Sequence, residues 1–228
     1  MSSAEAATGA ASGASTGTAS HAVAGLVLAA GHAVRMEGRP KPLLELDGQP
    51  LVRRLVMAMA DCGLSPLLVV AGALATPVGA ALQGTPARVV LQTDPQADLI
   101  GSQRLGLSAL PSHNEAVLIA LADQPLVDAA ALRALLGRWT ERPAGIDLIY
   151  PRVAGEPGNP VVAGARAVRE VLASDARVGC RQWREVHPER AAAWDTDHPA
   201  YLMDLDTPQD LERFTRLTGH VLHWPDGG

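Results

Sequence analysis

Lys41 is the only lysine in a chain of 228 residues whose 19 Lys and Arg side chains are otherwise all arginine. An ammonium is a compact point charge and a guanidinium a broad planar fork, so the exception points to a place where one small cation meets several anionic oxygens. Lys41 closes the run Gly31-His32-Ala33-Val34-Arg35-Met36-Glu37-Gly38-Arg39-Pro40-Lys41. Main-chain N–H groups in a glycine turn can face phosphate oxygens, and Arg35 and Lys41 can neutralise a polyphosphate from two directions. Neither G-x-x-x-x-G-K-S/T nor G-x-G-x-x-G occurs here, and on position alone the run is equally a solvated surface loop. Asp123 follows an apolar run and precedes Gln124-Pro125, where a carboxylate is either a turn-former or a metal ligand. Asp204 and Asp206 flank Leu205. In an extended segment their side chains share one face, and two like charges that close favour a cation near them. Asp206-Thr207-Pro208 also has the order of a helix cap, with Asp206 or Thr207 at the N-cap and proline in the first turn. His32 has no nameable partner, and His187, His198, His220 and His223 have no metal-binding spacing. Trp139, Trp183 and Trp194 are expected in packing and not in base stacking.

These groups must be positioned by the elements around them. Ala24–Ala30, Leu67–Ala71, Arg88–Gln92 and Ala116–Ala122 are short apolar runs suited to strands buried on both faces. Between and after them, helices are expected over Pro50–Cys62, Thr76–Gln83, Ser102–Leu110 and Asp128–Thr140, the first closed by Gly63. Asp147–Val153 and Asn159–Ala163 flank a Gly/Pro-rich turn and predict a hairpin. Helices near Ala165–Ala173 and Arg177–Glu185, a short strand at Tyr201–Leu205 and a helix over Pro208–Leu217 complete the chain. The alternation predicts an α/β fold: a single doubly wound, mostly parallel, Rossmann-like sheet with a small hairpin insertion. Ligands of such sheets bind at the carboxyl ends of the strands, where the glycine run and Asp123 lie.

Composition bounds the rest. A 47% hydrophobic content supplies a core for one large domain, expected over residues 21–228. Residues 1–20, rich in Ala, Ser, Gly and Thr, form an expected flexible tail with neither the basic start nor the apolar middle of a signal peptide. A net charge of −5 gives no general pull toward nucleic acid or anionic membrane, and no apolar stretch approaches the ~20 residues of a membrane span. Cys62 and Cys180 are too few for a disulfide framework, which fits a reduced, cytoplasmic setting.

Leu28-Ala-Ala-Gly-His-Ala-Val-Arg-Met36, followed by Lys41-Pro-Leu-Leu and Asp47-Gly-Gln-Pro-Leu51, resembles the amino-terminal signature of the MobA-like nucleotidyltransferases, L-A-A/G-G-x-S-x-R-M-G, then K, L-L and G-x-P-L. Leu121-Ala-Asp-Gln-Pro125 resembles the family's D-Q/M-P turn, Gly158-Asn-Pro-Val161 its G-H-P-V segment, and Asp204-Leu-Asp-Thr-Pro-Gln-Asp-Leu211 its D-I-D-T-P-x-D-L segment. The resemblance covers roughly Val23 to Leu217. It implies that Leu28, Ala29, Ala30, Gly31, Arg35 and Lys41 wrap a nucleoside triphosphate, with Gly72 and Ser102 also binding nucleotide. It further implies that Arg35, Lys41 and Asp123 are catalytic, that Asp123 and Asp206 hold Mg²⁺, and that Gly158, Asn159 and Asp204 face the acceptor. L-A-A-G with D-Q-P is more typical of the molybdenum cofactor cytidylyltransferase branch. The implied partners are therefore CTP (GTP in the guanylyltransferase branch), molybdopterin as phosphorylated acceptor, and a molybdoenzyme or its insertion chaperone. A sugar or polyol phosphate acceptor and a non-catalytic nucleotide-binding, cofactor-delivery role are the alternatives. Departures from the pattern are Ala33 for serine, Glu37 for glycine, the altered Thr93–Ser102 segment, in which Ser102 either contacts nucleotide or caps a helix, and Asn159 for histidine.

Overall fold

The computed structural model of the chain describes residues 23–31, 36 and 39–225. The expected tail and Arg35 lie outside the described residues. Strands β1 (Val23–Leu28), β4 (Leu67–Ala71), β5 (Ala87–Leu91) and β6 (Ala116–Leu121) form the parallel heart of an eight-stranded sheet. Its order is β10-β7-β9-β6-β1-β4-β5, where β7 is Leu148–Val153, β9 Val161–Gly164 and β10 Ala191–Asp195, with β8 (Glu156–Pro157) also on β7. β9 runs antiparallel to both neighbours, Leu148 pairing with Ala163 and Ile119 with Val161. The expected hairpin therefore forms, but its two long strands extend the central sheet. A short turn can join only antiparallel strands, so β9 is reversed, whereas β10 regains the parallel direction through the two helices before it.

Helices cover both faces because strand side chains alternate. Val27, Val69 and Leu118 pack with Val52, Val56 and Met59 of α1 (Leu51–Asp61), Val78 of α2 (Ala75–Ala81) and Leu132, Leu135 and Trp139 of α4 (Ala129–Thr140). On the other face Leu26, Leu68, Val117 and Ile119 meet Leu107 of α3 (Leu99–Ser108), Val171 of α5 (Ala165–Ala173) and Trp183 of α6 (Cys180–Val186). Each such fully buried aliphatic side chain contributes about 1.5–3 kcal/mol. α3 lies tight on the sheet because Gly106 has no side chain, and a Cβ there would stand 2.4 Å from Leu26 Cδ1.

A second, three-stranded sheet joins β2 (Glu45–Leu46), β3 (Gln49–Pro50) and β11 (Leu222–His223). Its Leu46 and Leu222 pack with Leu44, Leu51, Leu205 and the fully buried Phe214 of α7 (Pro208–Thr218). This cluster fastens the segment carrying Asp206 beside the turn carrying Lys41. Tyr201–Leu205 does not form the expected strand. A 3-10 turn spans Pro199–Tyr201, and the segment after it bonds to separate elements, Tyr201 O accepting from Asn159 N (2.9 Å) and Leu205 N donating to Asp123 O (3.2 Å). Its bonded partners lie on two separate segments and not along one strand edge.

Candidate active site

β1 and β6 end side by side, Ala122 N donating to Leu28 O (3.1 Å), and on β1's other side Ala29 N donates to Val70 O (2.8 Å). A cavity of about 520 Å³ opens beyond these strand ends, lined by Leu28, Ala29, Ala30 and Gly31 from the first turn, Lys41, Ser102 of α3, Asp123, Asp204 and Asp206. A second cavity of about 630 Å³ shares Ala29–Gly31 and includes Gly72 and Thr93. A third, of about 390 Å³, shares Leu28, Leu99 and Leu121 with the first and includes Gly158 and Asn159. We refer to them as the Lys41, Gly72 and Asn159 cavities. The described residues among those expected to bind ligand thus surround one continuous set of clefts at the carboxyl edge of the sheet.

Lys41 opens a 3-10 turn whose next two residues, Pro42 and Leu43, are buried, so its backbone is held while its side chain projects into the cavity. Its Nζ donates to Asp123 Oδ2 (2.8 Å) and to Asp206 Oδ1 (2.7 Å). The ammonium side chain is only 12% exposed, against 22% for Asp123 and 54% for Asp206. Burial alone would push the Lys41 pKa down, but the Asp123 and Asp206 carboxylates outweigh it and the net shift is upward, so the group stays charged. Asp204 lines the same cavity. Burial, reinforced by the charges of Asp123 and Asp206, pushes its carboxyl up to about 6, while Gln124 and Lys41 pull the other way.

Capping and site chemistry are divided between different residues at the start of α7. Asp210 Oδ2 accepts from Thr207 N (2.7 Å), Asp206 N (3.0 Å) and Thr207 Oγ1 (2.7 Å). Thr207 is the N-cap and Pro208 the first helical residue, which leaves the Asp206 carboxylate turned to Lys41. Asp210 was not singled out by sequence reasoning, although its place three residues after Thr207 is the signal of a capping box. Ser102 is likewise not a cap. Asp98 is, its Oδ1 accepting from Gly101 N (2.8 Å), and Ser102 lies buried in the first turn of α3 facing the Lys41 cavity.

Gly158 and Asn159 belong to a braced segment. Gly158 N donates to Pro151 O (2.8 Å), Asn159 N to Tyr201 O (2.9 Å), and Gln124 Nε2 to Asn159 O (3.4 Å). A Cβ on Gly158 would stand 2.3 Å from Tyr201 O, so glycine is required by this close approach. Gly72 has no such constraint, since a Cβ there would meet Ala30 at an ordinary 3.7 Å. Trp139 and Trp183 are buried in the two core layers, as their expected packing role requires.

Among the described residues no group of three or more His, Cys, Asp or Glu could hold a metal ion as an all-protein cage. The site offers instead two carboxylates that both reach one cation, and Asp204 Oδ1, which is buried without a partner. Such a donor set fits Mg²⁺, which keeps waters and substrate oxygens in its shell, better than Zn²⁺ or Ca²⁺. No helix among the described residues is long and apolar enough to cross a membrane.

Comparison with known proteins bears on the fold and the family. The chain is 34% identical over 185 residues to the bifunctional protein GlmU of Sorangium cellulosum, matching 78% of this chain but 37% of that protein. It thus spans about a third of the length of the GlmU relatives it matches. Nicotine blue oxidoreductase of Paenarthrobacter nicotinovorans is 32% identical over 200 residues, covering 84% of this chain and 95% of that protein. Among solved structures, a nucleotidyl transferase from Methanothermobacter superposes with a TM-score of 0.71 at 25% identity, covering 86% of this chain and 97% of the other. Rv0371c of Mycobacterium tuberculosis, solved in complex with manganese, superposes with a TM-score of 0.63 at 26% identity, covering 86% and 98%. The family model of the MobA-like NTP transferase domain matches residues 25–192, and the chain belongs to that family.

Proposed function

We propose that the chain is a Mg²⁺-dependent nucleotidyltransferase that moves CMP from CTP to the terminal phosphate of molybdopterin and releases pyrophosphate. The observation that carries the transfer chemistry is the convergence of Asp123 and Asp206 on Lys41, whose Nζ lies 2.8 Å from one carboxylate and 2.7 Å from the other, beside the glycine turn that ends β1. The choice of CTP and of molybdopterin is supported by the Leu28-Ala-Ala-Gly and Asp123-Gln-Pro segments alone.

In this reaction an oxygen of the acceptor phosphate attacks the α-phosphorus, and the bond from that phosphorus to the bridging oxygen of the β-phosphate breaks. Pyrophosphate leaves with the electron pair. The attacking oxygen is already ionised at neutral pH, so no side chain must act as general base. Arg35 and Lys41 draw charge from the triphosphate as it accumulates on the departing group, which stabilises the transition state more than the ground state. Gly31, Gly72 and Ser102 position the nucleotide, while Gly158, Asn159 and Asp204 position the acceptor in line. Mg²⁺ held by Asp123 and Asp206 would supply charge neutralisation to the phosphates. The manganese bound by Rv0371c supports a divalent-ion requirement for this chain as well.

Pyrophosphate release measured with each of the four NTPs plus molybdopterin tests the proposal. CTP is expected to give one pyrophosphate per cytidylylated product, lost on chelation and restored by Mg²⁺, with no nucleotidylated protein detectable by mass spectrometry. CTP binding without release for any pair would instead select a non-catalytic cofactor-delivery protein. A redox reading rests on one observation, the match to nicotine blue oxidoreductase over nearly its whole length. Oxidation or reduction of nicotine blue by the chain, without pyrophosphate release, would select that reading.

A further inference from the structure

The two carboxylates suited to a divalent ion are bridged by the side chain suited to a triphosphate. Lys41 Nζ takes one oxygen of each, Asp123 Oδ2 at 2.8 Å and Asp206 Oδ1 at 2.7 Å. A second cation brought to the same pair is repelled by the ammonium and finds both of these oxygens already engaged. Lys41 is also the sole cation among the described residues lining this cavity, against Asp98, Asp123, Asp204 and Asp206. A triphosphate that enters with no added positive charge therefore faces these carboxylates and an ammonium already paired to two of them. Each ligand is resisted when it comes alone. What can move is confined to the lysine side chain. Lys41 O accepts from Leu44 N (3.1 Å) and Pro42 and Leu43 are buried, which holds the backbone, whereas the flexible stem ends in a point charge with three rotatable donors. Its hold on Asp206 is the weaker of the two, because that carboxylate is 54% exposed. Arginine makes pairs elsewhere, such as Arg190 with Asp147 (2.7 Å) and Arg152 with Asp195 (2.6 Å). Its planar fork suits a fixed pair, and the ammonium suits exchange between anions.

We propose that Lys41 is an exchangeable cation, which holds Asp123 and Asp206 against a lone divalent ion and passes to the oxygens of a triphosphate when nucleotide and ion enter together. The ammonium gives up two carboxylate oxygens to the incoming ion and carries its charge to the polyphosphate. No covalent bond changes in this step. The consequence is positive coupling: nucleotide raises the affinity for the ion and, by linkage, the ion raises the affinity for nucleotide by the same factor. The exchange deepens the nucleotidyl-transfer proposal, resting on it for the identity of the two ligands and not for turnover. It also accounts for one lysine in a chain whose other Lys and Arg positions are all arginine.

Two readouts on the full chain test the exchange, and neither is activity. The first is calorimetric titration of the wild type and Lys41→Met with Mn²⁺ alone, and with α,β-methylene-CTP in saturating Mn²⁺, an analogue that cannot release pyrophosphate. The expected changes have opposite signs. Mn²⁺ alone binds about tenfold or more tighter to the variant, and the analogue about tenfold or more weaker. A lysine that serves only the fold weakens both, and one that touches only the triphosphate leaves Mn²⁺ binding unchanged; either result overturns the exchange. The second readout needs no substitution and stands if the variant folds poorly. Lysine labelled with ¹⁵N at Nζ gives a single ammonium signal, because Lys41 is the only lysine. That signal is expected to shift further with α,β-methylene-CTP and Mg²⁺ together than with Mg²⁺ alone. A signal that keeps its place with both present, or moves as far with Mg²⁺ alone, overturns the exchange. Affinity changes of opposite sign in a chain that releases no pyrophosphate from CTP support the exchange while refuting nucleotidyl transfer, and pyrophosphate release with both affinities weakened does the reverse.

Discussion

Replacing Lys41 with methionine removes the charge at nearly constant length and separates the structural from the chemical role of this ammonium. The contact to Asp123 is largely buried, at 12% and 22% side-chain exposure, and a charge-assisted bond of that kind is worth about 1.5–3 kcal/mol. The contact to Asp206 involves a carboxylate that is 54% exposed, and solvent screening reduces it to about 0.2–1 kcal/mol. The methionine does not pay the ammonium's desolvation, so the net loss is about 2 kcal/mol, or roughly 4–8 °C in Tm for a domain of this size. Lys41 has a raised pKa, so its contribution is full below the ordinary value of 10.5 and is lost only as pH rises through the higher folded value. The gap between wild type and variant should therefore be flat across neutral pH. Added Mg²⁺ binds only the folded chain and should narrow that gap, because in the variant it meets two carboxylates with no competing cation. Turnover should still fall by about 10²–10³, the usual cost of losing one fixed charge aimed at a developing anion. Thermal melts in EDTA and over a Mg²⁺ series, beside pyrophosphate release, give all three quantities. A Tm equal to wild type in EDTA, or an unchanged kcat, would refute the reasoning.

Three further outcomes follow from contacts around the site and the core. Gly158→Ala should destabilise the chain by about 1–3 kcal/mol or more, since its Cβ would stand 2.3 Å from Tyr201 O, and a chemical melt indistinguishable from wild type would contradict that close approach. Asp210→Ala removes the acceptor of Thr207 N, Asp206 N and Thr207 Oγ1; it should cost about 0.5–2 kcal/mol and raise the Mg²⁺ concentration needed for half-maximal activity, as Asp206 loses its support. Arg190 holds the Glu170 carboxyl down at about 2 from its ordinary 4.5, against burial and with help from the Trp183 indole N–H and from Arg166. Its folded pKa is depressed, so the stability it contributes is present above pH 4.5 and lost as pH falls toward about 2. Glu170→Gln should therefore be less stable than wild type at neutral pH and converge with it in acid, and parallel melting curves down to the lowest pH would show that the pair contributes nothing.

The apolar runs made the strands β1, β4 and β6 legible because a strand buried on both faces leaves a continuous hydrophobic signature, and β5, though an edge strand with Leu91 exposed, carries the same kind of run. The helices α1 and α7 were legible from their Pro and Gly punctuation. The shorter pieces were not. β2, β3 and β11 are two residues each, below any period, and β10 reads Ala-Ala-Ala-Trp-Asp, a composition of weak strand propensity. Tyr201–Leu205 was expected as a strand, yet its backbone groups bond to Asp123 beyond the end of β6, to Asn159 of the hairpin segment and within its own turn. At the site, Lys41, Asp123 and Asp206 were legible as types in context.

The sequence by itself determined the α/β class, the family and the placing of a glycine- and cation-bearing run after the first strand, since each depends on residues close together in the chain. Only the tertiary structure decided that the lone lysine meets carboxylates 82 and 165 residues away at 2.8 and 2.7 Å, with Asp210 relieving Asp206 of the capping role. Local propensity and spacing act over a turn or a strand. The distance between remote side chains depends instead on strand order, register and the packing of Phe214 against the small sheet, none of which any local stretch encodes alone.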